Sequence, residues 1–558
     1  MKRQSYLLAV LLLAVTALYS QGEKNDELQR QSTGVFDQQE NTESNIEFST
    51  TNYGIWGHNA SSGKGSVYWP RGSGNQYIFG SGIWFGAKKE NSHGELSAPL
   101  VFITYNPNTG DSWAVPGHVS DGDKVNLNDE KLYRSYYSTD FHQYNGVPYF
   151  PEDGPNWSLW ITDTTLKYEY GTYKHEYVTD VSMRNRQDYP YGPLFVSDED
   201  IVSTYKDTDL DYYEGGIEKR ESEGYPLGLQ ITEKIYSWGE GELQDIMIIS
   251  YEIENVSDNN LKDCYVAGVF DVDIAHISNL ASGAGNDRFT YFFEEEKLNM
   301  AYAWTQTDRG EEGKGFGYLG IQALETPAID ASGYIRNDKL LFEPDEQIGL
   351  GRFDNWTIVD DFFENQERYE FMQSHERDGD TGPGDNRMLL SSGKFNMRPG
   401  DKARIVFALN FSMPAKGGEA DGTYEDITGL QPGGTEPMQA KKNTLIGTQQ
   451  LVKQVYYNNG TINSVDKVFA NLTKSVEVYP NPVKSNINLS FELEEAKSLE
   501  ISIVDINGNK VQQLYSGILS DGQQNMSFNI GNKLASGSYY LRFKSGNSIS
   551  STKIVVVN

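Results

Sequence analysis

The sequence predicts a mainly β chain: a β-sandwich-rich acidic body, then an immunoglobulin-like antiparallel β-sandwich at the C-terminus. Three observations carry this reading. Glycine (55), tyrosine (36), phenylalanine (25) and tryptophan (9) are abundant, a composition of strands joined by tight turns. Apolar and polar residues alternate along short runs, the period of a half-buried strand, most clearly in ELQDIMIISYEIENVSDNNLKDCYVAGVFDVDI. Those runs recur at close spacing between turn signals such as Asn-Gly and Asn-Pro. A length of 558 residues allows several domains. A net charge of −32 gives no basic footprint for nucleic acid and disfavours anionic membrane surfaces.

Residues 1–20 read as a secretory signal peptide: Lys2 and Arg3, then the apolar run LLAVLLLAVTAL, then Ser20. The run is short for a membrane span, and no transmembrane segment is expected after signal removal. Residues 21–47 are polar and read as a flexible N-terminal arm. Residues 48–230 and 231–415 are expected to be a first and a second β-rich part of the body. Strand signals include YIFGSGIWFGAKK, LSAPLVFITYNP, LGLQITEKIYSW, MAYAWTQT and DKARIVFALNFSM. Residues 416–474 have loop composition with room for one helix and read as a linker. Residues 475–558 alternate cleanly and hold seven acidic and seven basic residues, so the whole net −34 of residues 21–474 belongs to the body. That break in charge marks a domain boundary.

The one cysteine, Cys264, lies in an alternating apolar run and is expected in the core. No HExxH, GxSxG or GxxxxGK[ST] motif occurs, and no catalytic residue is assigned. Acidic loops are the candidate metal sites. Asp271 and Asp273 stand two apart at the end of a strand, which puts both on one face, and Asn286 and Asp287 follow in the returning loop. Asp378, Asp380 and Asp385 sit among glycines in a second loop. Oxygen donors of this kind suit calcium, although neither loop has an EF-hand register. Arg288 is the alternative compensator for the first pair. A third acidic run comprises Asp207, Asp209 and Asp211. Trp56, Trp69 and Trp84 lie in a Gly- and aromatic-rich stretch and offer either core anchors or a face that binds sugar or peptide.

The C-terminal region carries four motifs in order. They are Val478-Tyr479-Pro480-Asn481-Pro482, Asp505-Ile506-Asn507-Gly508, Leu534 to Tyr540 with Gly537 and Tyr539, and Lys553-Ile554-Val555-Val556-Val557. This region resembles the type A C-terminal sorting domain of the type IX, or Por, secretion system of Bacteroidetes. The resemblance implies passage through the periplasm and across the outer membrane. It implies the type IX translocon and an outer-membrane shuttle as partners, and a final location that is extracellular or on the outer cell surface. The body, along GSGIWFGAK, VAGVFDVDI, DNRMLLSSGKFNMRPGD and IVFALNFS, resembles secreted or surface proteins that carry the same sorting domain and have no established activity. The expected function is therefore an exported protein with a binding or structural role, toward an extracellular glycan or protein ligand. The competing expectation is an extracellular hydrolase acting on glycan or peptide.

Overall fold

A computed structural model describes residues 35–128, 134–138, 197–412 and 476–557, with short gaps, and the backbone of four strands between 142 and 193. The signal peptide, the linker at 416–474 with its expected helix, and Asp380 lie outside the described residues. The chain is mainly β, in several antiparallel sheets. The body strands used below are β1 (Gln38–Glu40), β2 (Ser49–Thr51), β3 (Asn75–Glu90), β4 (Leu100–Ile103), β5 (Glu199–Lys206), β6 (Leu229–Ser237) and β7 (Ile246–Asn255). They continue with β8 (Asn260–His276), β9 (Asp287–Tyr291), β10 (Met300–Thr305), β11 (Tyr318–Glu325), β12 (Leu350–Thr357), β13 (Asn386–Ser392) and β14 (Lys402–Ser412).

A nine-stranded sheet runs β9-β10-β11-β14-β7-β6-β5, with Val115–Pro116 and Tyr136–Tyr137 both pairing with β5. A seven-stranded sheet runs β12-β13-β8-β3 and then Val67–Tyr68, with β4 on β3 and Phe395–Met397 on β8. Period-two alternation places Ile231 and Ile235 of β6 and Ile249, Tyr251 and Ile253 of β7 in one buried cluster. The two sheets meet there: the rings of Phe270 on β8 and Phe407 on β14 lie 5.7 Å apart, edge to face. Two short helices, α1 (Ile217–Glu223) and α2 (Asn365–Gln373), interrupt the strands. No helix among the described residues is long and apolar enough to cross a membrane.

One expectation needs correction, and two that left alternatives open are narrowed. Residues 35–47 belong to the body: Val35, Phe36 and Ile46 are buried and β1 pairs with β2. These few apolar side chains fix a mostly polar stretch, and the Asn41 side chain pins its turn by bonding Ile46 O and Phe48 N. The division of the body near residue 230 does not interrupt its sheets. β5 pairs with β6 from Glu199↔Ser237 to Lys206↔Gln230, β3 pairs with β8, and one apolar cluster runs from Phe36 to Phe411. Trp56, Trp69 and Trp84 form no binding face, since none is more than 4% exposed. Their indole N–H groups donate inward, to Tyr251 OH, Asp245 Oδ1 and Tyr105 O at 2.8, 2.7 and 2.9 Å. Cys264 is fully buried, as its strand position requires.

The C-terminal region holds β15 (Glu477–Tyr479), β16 (Asn486–Leu493), β17 (Lys497–Val504), β18 (Lys510–Leu519), β19 (Gly522–Asn529), β20 (Gly537–Ser545) and β21 (Ser548–Val556). One sheet is β15-β16-β19 and the other β18-β17-β20-β21. Both contribute to a second apolar cluster that includes Ile487, Leu489, Ile501, Ile503, Leu541 and Ile554.

Candidate functional site

Two constellations stand out, one in each region. In the C-terminal region, the first and last sequence motifs meet. Asn481 Nδ2 donates to Lys553 O at 3.2 Å, and Val555 N–H donates to Asn481 Oδ1 at 2.9 Å. The backbone next to it continues the clasp: Val483 N–H donates to Val555 O at 2.7 Å and Val557 N–H to Val483 O at 2.9 Å. An asparagine suits this place because one amide both donates and accepts. Pro480 and Pro482 have no N–H to offer a ladder and sit at its exposed edge. Tyr479, Asn481, Gly537 and Lys553 are exposed, whereas Tyr539 and Val555 are half-buried. Gly537 and Tyr539 open β20, in register with Val556 and Ile554 of the last strand. All of the singled-out sorting residues thus lie on β15, β20, β21 or the turn that clasps β21.

In the body, β8 and β13 run antiparallel with Asp271 directly opposite Arg387. This register draws the second acidic loop onto the first. Asp271, Asp273 and Asp385 each present an oxygen within 4.8 Å of the others. Arg387 Nε lies 3.4 Å from Asp271 Oδ1 and 3.7 Å from Asp361 Oδ1, while its Nη1 lies 2.5 Å from Asp385 Oδ1. Tyr105 OH donates to Asp271 Oδ2 at 2.8 Å, and Trp356 Nε1 donates to Asp361 Oδ1 at 2.6 Å. Asp273 Oδ1 is buried and accepts no hydrogen bond. Burial pushes the Asp271 carboxyl above its ordinary range, against the pull of Arg387 and the Tyr105 hydrogen bond. Burial also raises Asp273, and the charges of Asp271 and Asp385 raise it further.

The remaining candidates have other positions. Asp287 is buried on β9, and its Oδ2 accepts from Ile274 N–H at 2.9 Å, which joins β8 to β9. Asn286 ends the short helical turn that leads into β9. Asp378 lies beside Arg352, at 4.0 Å, near the Arg352–Asp354 pair. The cation facing Asp271 is Arg387, where the sequence had suggested Arg288. Arg387, Asp361 and Tyr105 were not singled out from the sequence, and only the proximity of Arg387 to Asp385 hinted at the first. The third acidic run is structural. Asp207 accepts backbone N–H bonds from Leu227, Gly228 and Leu229, Asp209 accepts from Val125 and Asp211 N–H, and Asp211 pairs with Lys124.

Residues 477–558 match the secretion system C-terminal sorting domain. No curated protein matches the sequence. Among solved structures, a polysaccharide lyase is similar over 60% of this chain and 35% of its own, at 10% identity and a TM-score of 0.15. The chain thus spans about a third of that lyase's length. A truncated trimeric ectodomain of the C. elegans fusion protein EFF-1 is similar over 64% of this chain and 81% of its own, at 8% identity and a TM-score of 0.12. Neither likeness carries an argument about fold or activity.

Proposed function

The chain is an exported protein carrying a secretion-system C-terminal sorting domain, and from that premise we propose a binding or structural surface protein whose body is locked by a divalent cation, calcium. In this reading the two C-terminal sheets form a sandwich that the translocon and an outer-membrane shuttle recognise. The body is the cargo that reaches the cell surface or the medium. The observation that carries the cation is the convergence of Asp271, Asp273 and Asp385 within 4.8 Å, beside one guanidinium, that of Arg387. Asp271, Asp361 and Asp385 thus share the Arg387 guanidinium, with Asp273 beside them. Such a set needs protons or a cation to be stable in a buried site. All three donors are hard oxygens, which fits calcium, and a buried Asp273 oxygen accepts no hydrogen bond from the protein.

The test is a melting curve of the full chain. A cation that binds only the folded state adds about 2.7 kcal/mol at a hundred times its dissociation constant. Calcium should raise the midpoint and chelation should lower it. Changing both Asp271 and Asp273 to asparagine should abolish the response. A wild-type midpoint indifferent to chelator and to added calcium would overturn the reading and leave protons as the compensators.

A further inference from the structure

Beside β1 and β2 the body opens a cleft of about 370 Å³, a volume suited to a small molecule. Its lining includes Glu40, Glu47, Asn59, Lys64, Tyr68 and Ile277. The N-terminal segment at 40–49 makes one wall, the hairpin of His58–Asn59 and Lys64–Gly65 a second, and Ser66, Tyr68, Gly72 and Gly74, with Ile277 of the turn after β8, the rest. Its polar groups are held in place. Glu47 and Tyr68 exchange backbone N–H···O bonds at 2.9 Å. Tyr68 OH donates to Gly65 O at 3.0 Å, which fixes the half-buried ring. Asn59 Nδ2 donates to Glu40 Oε1 at 3.2 Å, and Gly72 N–H to Glu47 Oε2 at 3.3 Å. Burial, and then the charges of Glu47 and Glu40, raise the Tyr68 phenol, so both carboxylates act on the same ring.

We infer that this cleft binds an uncharged saccharide. Carboxylate oxygens accept from sugar hydroxyls and an amide both donates and accepts. The Tyr68 ring and the exposed Ile277 side chain offer apolar surface to the C–H face of a sugar ring. Other ligand classes fit less well. An anion would face two carboxylates. An organic cation would meet both carboxylates but also the exposed Lys64 ammonium on the same rim, and a pentalysine control decides against or for it. A metal ion would lack ligands, because among the described residues only Asp271, Asp273 and Asp385 form a group of three acidic, histidine or cysteine donors. The inference rests on the export reading for one thing only, that the cleft meets extracellular glycans.

The experiment applies the full chain to an array of neutral oligosaccharides from glucan, xylan, mannan, galactan and chitin, with pentalysine as a cationic control. Retention on at least one neutral glycan is expected. It should fall tenfold or more in Tyr68→Ala and in Glu47→Gln, persist in Tyr68→Phe, and leave the melting midpoint of Glu47→Gln unchanged. Three results would overturn the inference: no neutral glycan retained, stronger retention of pentalysine, or retention indifferent to Tyr68→Ala. The array works on purified protein, so its failure is separate from a failure of export, which fractionation of cells reports.

Discussion

Glu233 shows how one side chain can make the body sensitive to pH. It sits on β6 between Ile231 and Ile235 in the period-two pattern, so it faces the core, and it is 1% exposed. Tyr205 OH donates to its Oε2 at 3.0 Å, while Oε1 is buried and accepts no hydrogen bond. Burial pushes its carboxyl up to about 8, with the Tyr205 bond pulling the other way. The folded chain therefore holds a proton that the unfolded chain releases in the ordinary carboxylate range. Stability from this proton is fully present below that range, declines as pH rises, and is gone above about 8. Glu233→Gln keeps the shape without the charge. At pH about 9 the variant should be more stable than wild type by a few kcal/mol, and the difference should shrink toward pH about 5. Urea titrations at both pH values check this. A constant gap across the range would place the proton elsewhere. The tryptophans are simpler: truncating a buried ring such as Trp84 should cost roughly 3–5 kcal/mol.

At the scale of elements, one side chain from the turn after β15 adds two bonds to the last strand, beside its ladder with β20 and the backbone bonds of Val483. Asn481→Ala removes both amide bonds to the backbone of β21. Both are solvent-exposed, so the loss should be roughly 1 kcal/mol, local to the clasp. Hydrogen exchange should show the Val555 amide losing protection, while the amides of β16 keep theirs. Cells carrying Asn481→Ala should retain part of the protein in the periplasm, and cells lacking residues 553–558 should retain nearly all of it. Undiminished arrival of the truncated protein outside the cell would refute the role of β21 in sorting. The motifs of this clasp were legible because each is local. The acidic cluster was legible only in halves. Asp271–Asp273 and Asp385 are visible as separate loops, but their meeting depends on the register Asp271↔Arg387, a pairing across 115 intervening residues. No local pattern specifies such a pairing. Residues 35–47 hide their place in the body for a related reason. Their composition is polar, and three buried apolar side chains suffice to anchor them once β2 and Trp238 are near.

Over the whole molecule, charge and core divide at the same place. Residues 21–474 carry a net −34, and residues 475–558 balance seven acids with seven bases. Among the described residues, the main apolar cluster runs from Phe36 to Phe411 and the C-terminal cluster from Val483 to Val556. Separate cores allow separate unfolding. A strongly acidic body repels itself, and salt relieves that repulsion by shortening the screening length from roughly 30 Å at 0.01 M to about 3 Å at 1 M. A balanced domain has little net repulsion to relieve. Scanning calorimetry of the full chain, with chelator present so that cation binding does not contribute, should show two transitions. Raising sodium chloride across that range should move the larger one upward by several degrees and shift the smaller one far less. Asn481→Ala identifies the smaller transition by lowering it alone. One cooperative transition that moves as a unit with salt would mean that the two cores unfold together, and that the neutral C-terminal region shares in the stability of its cargo.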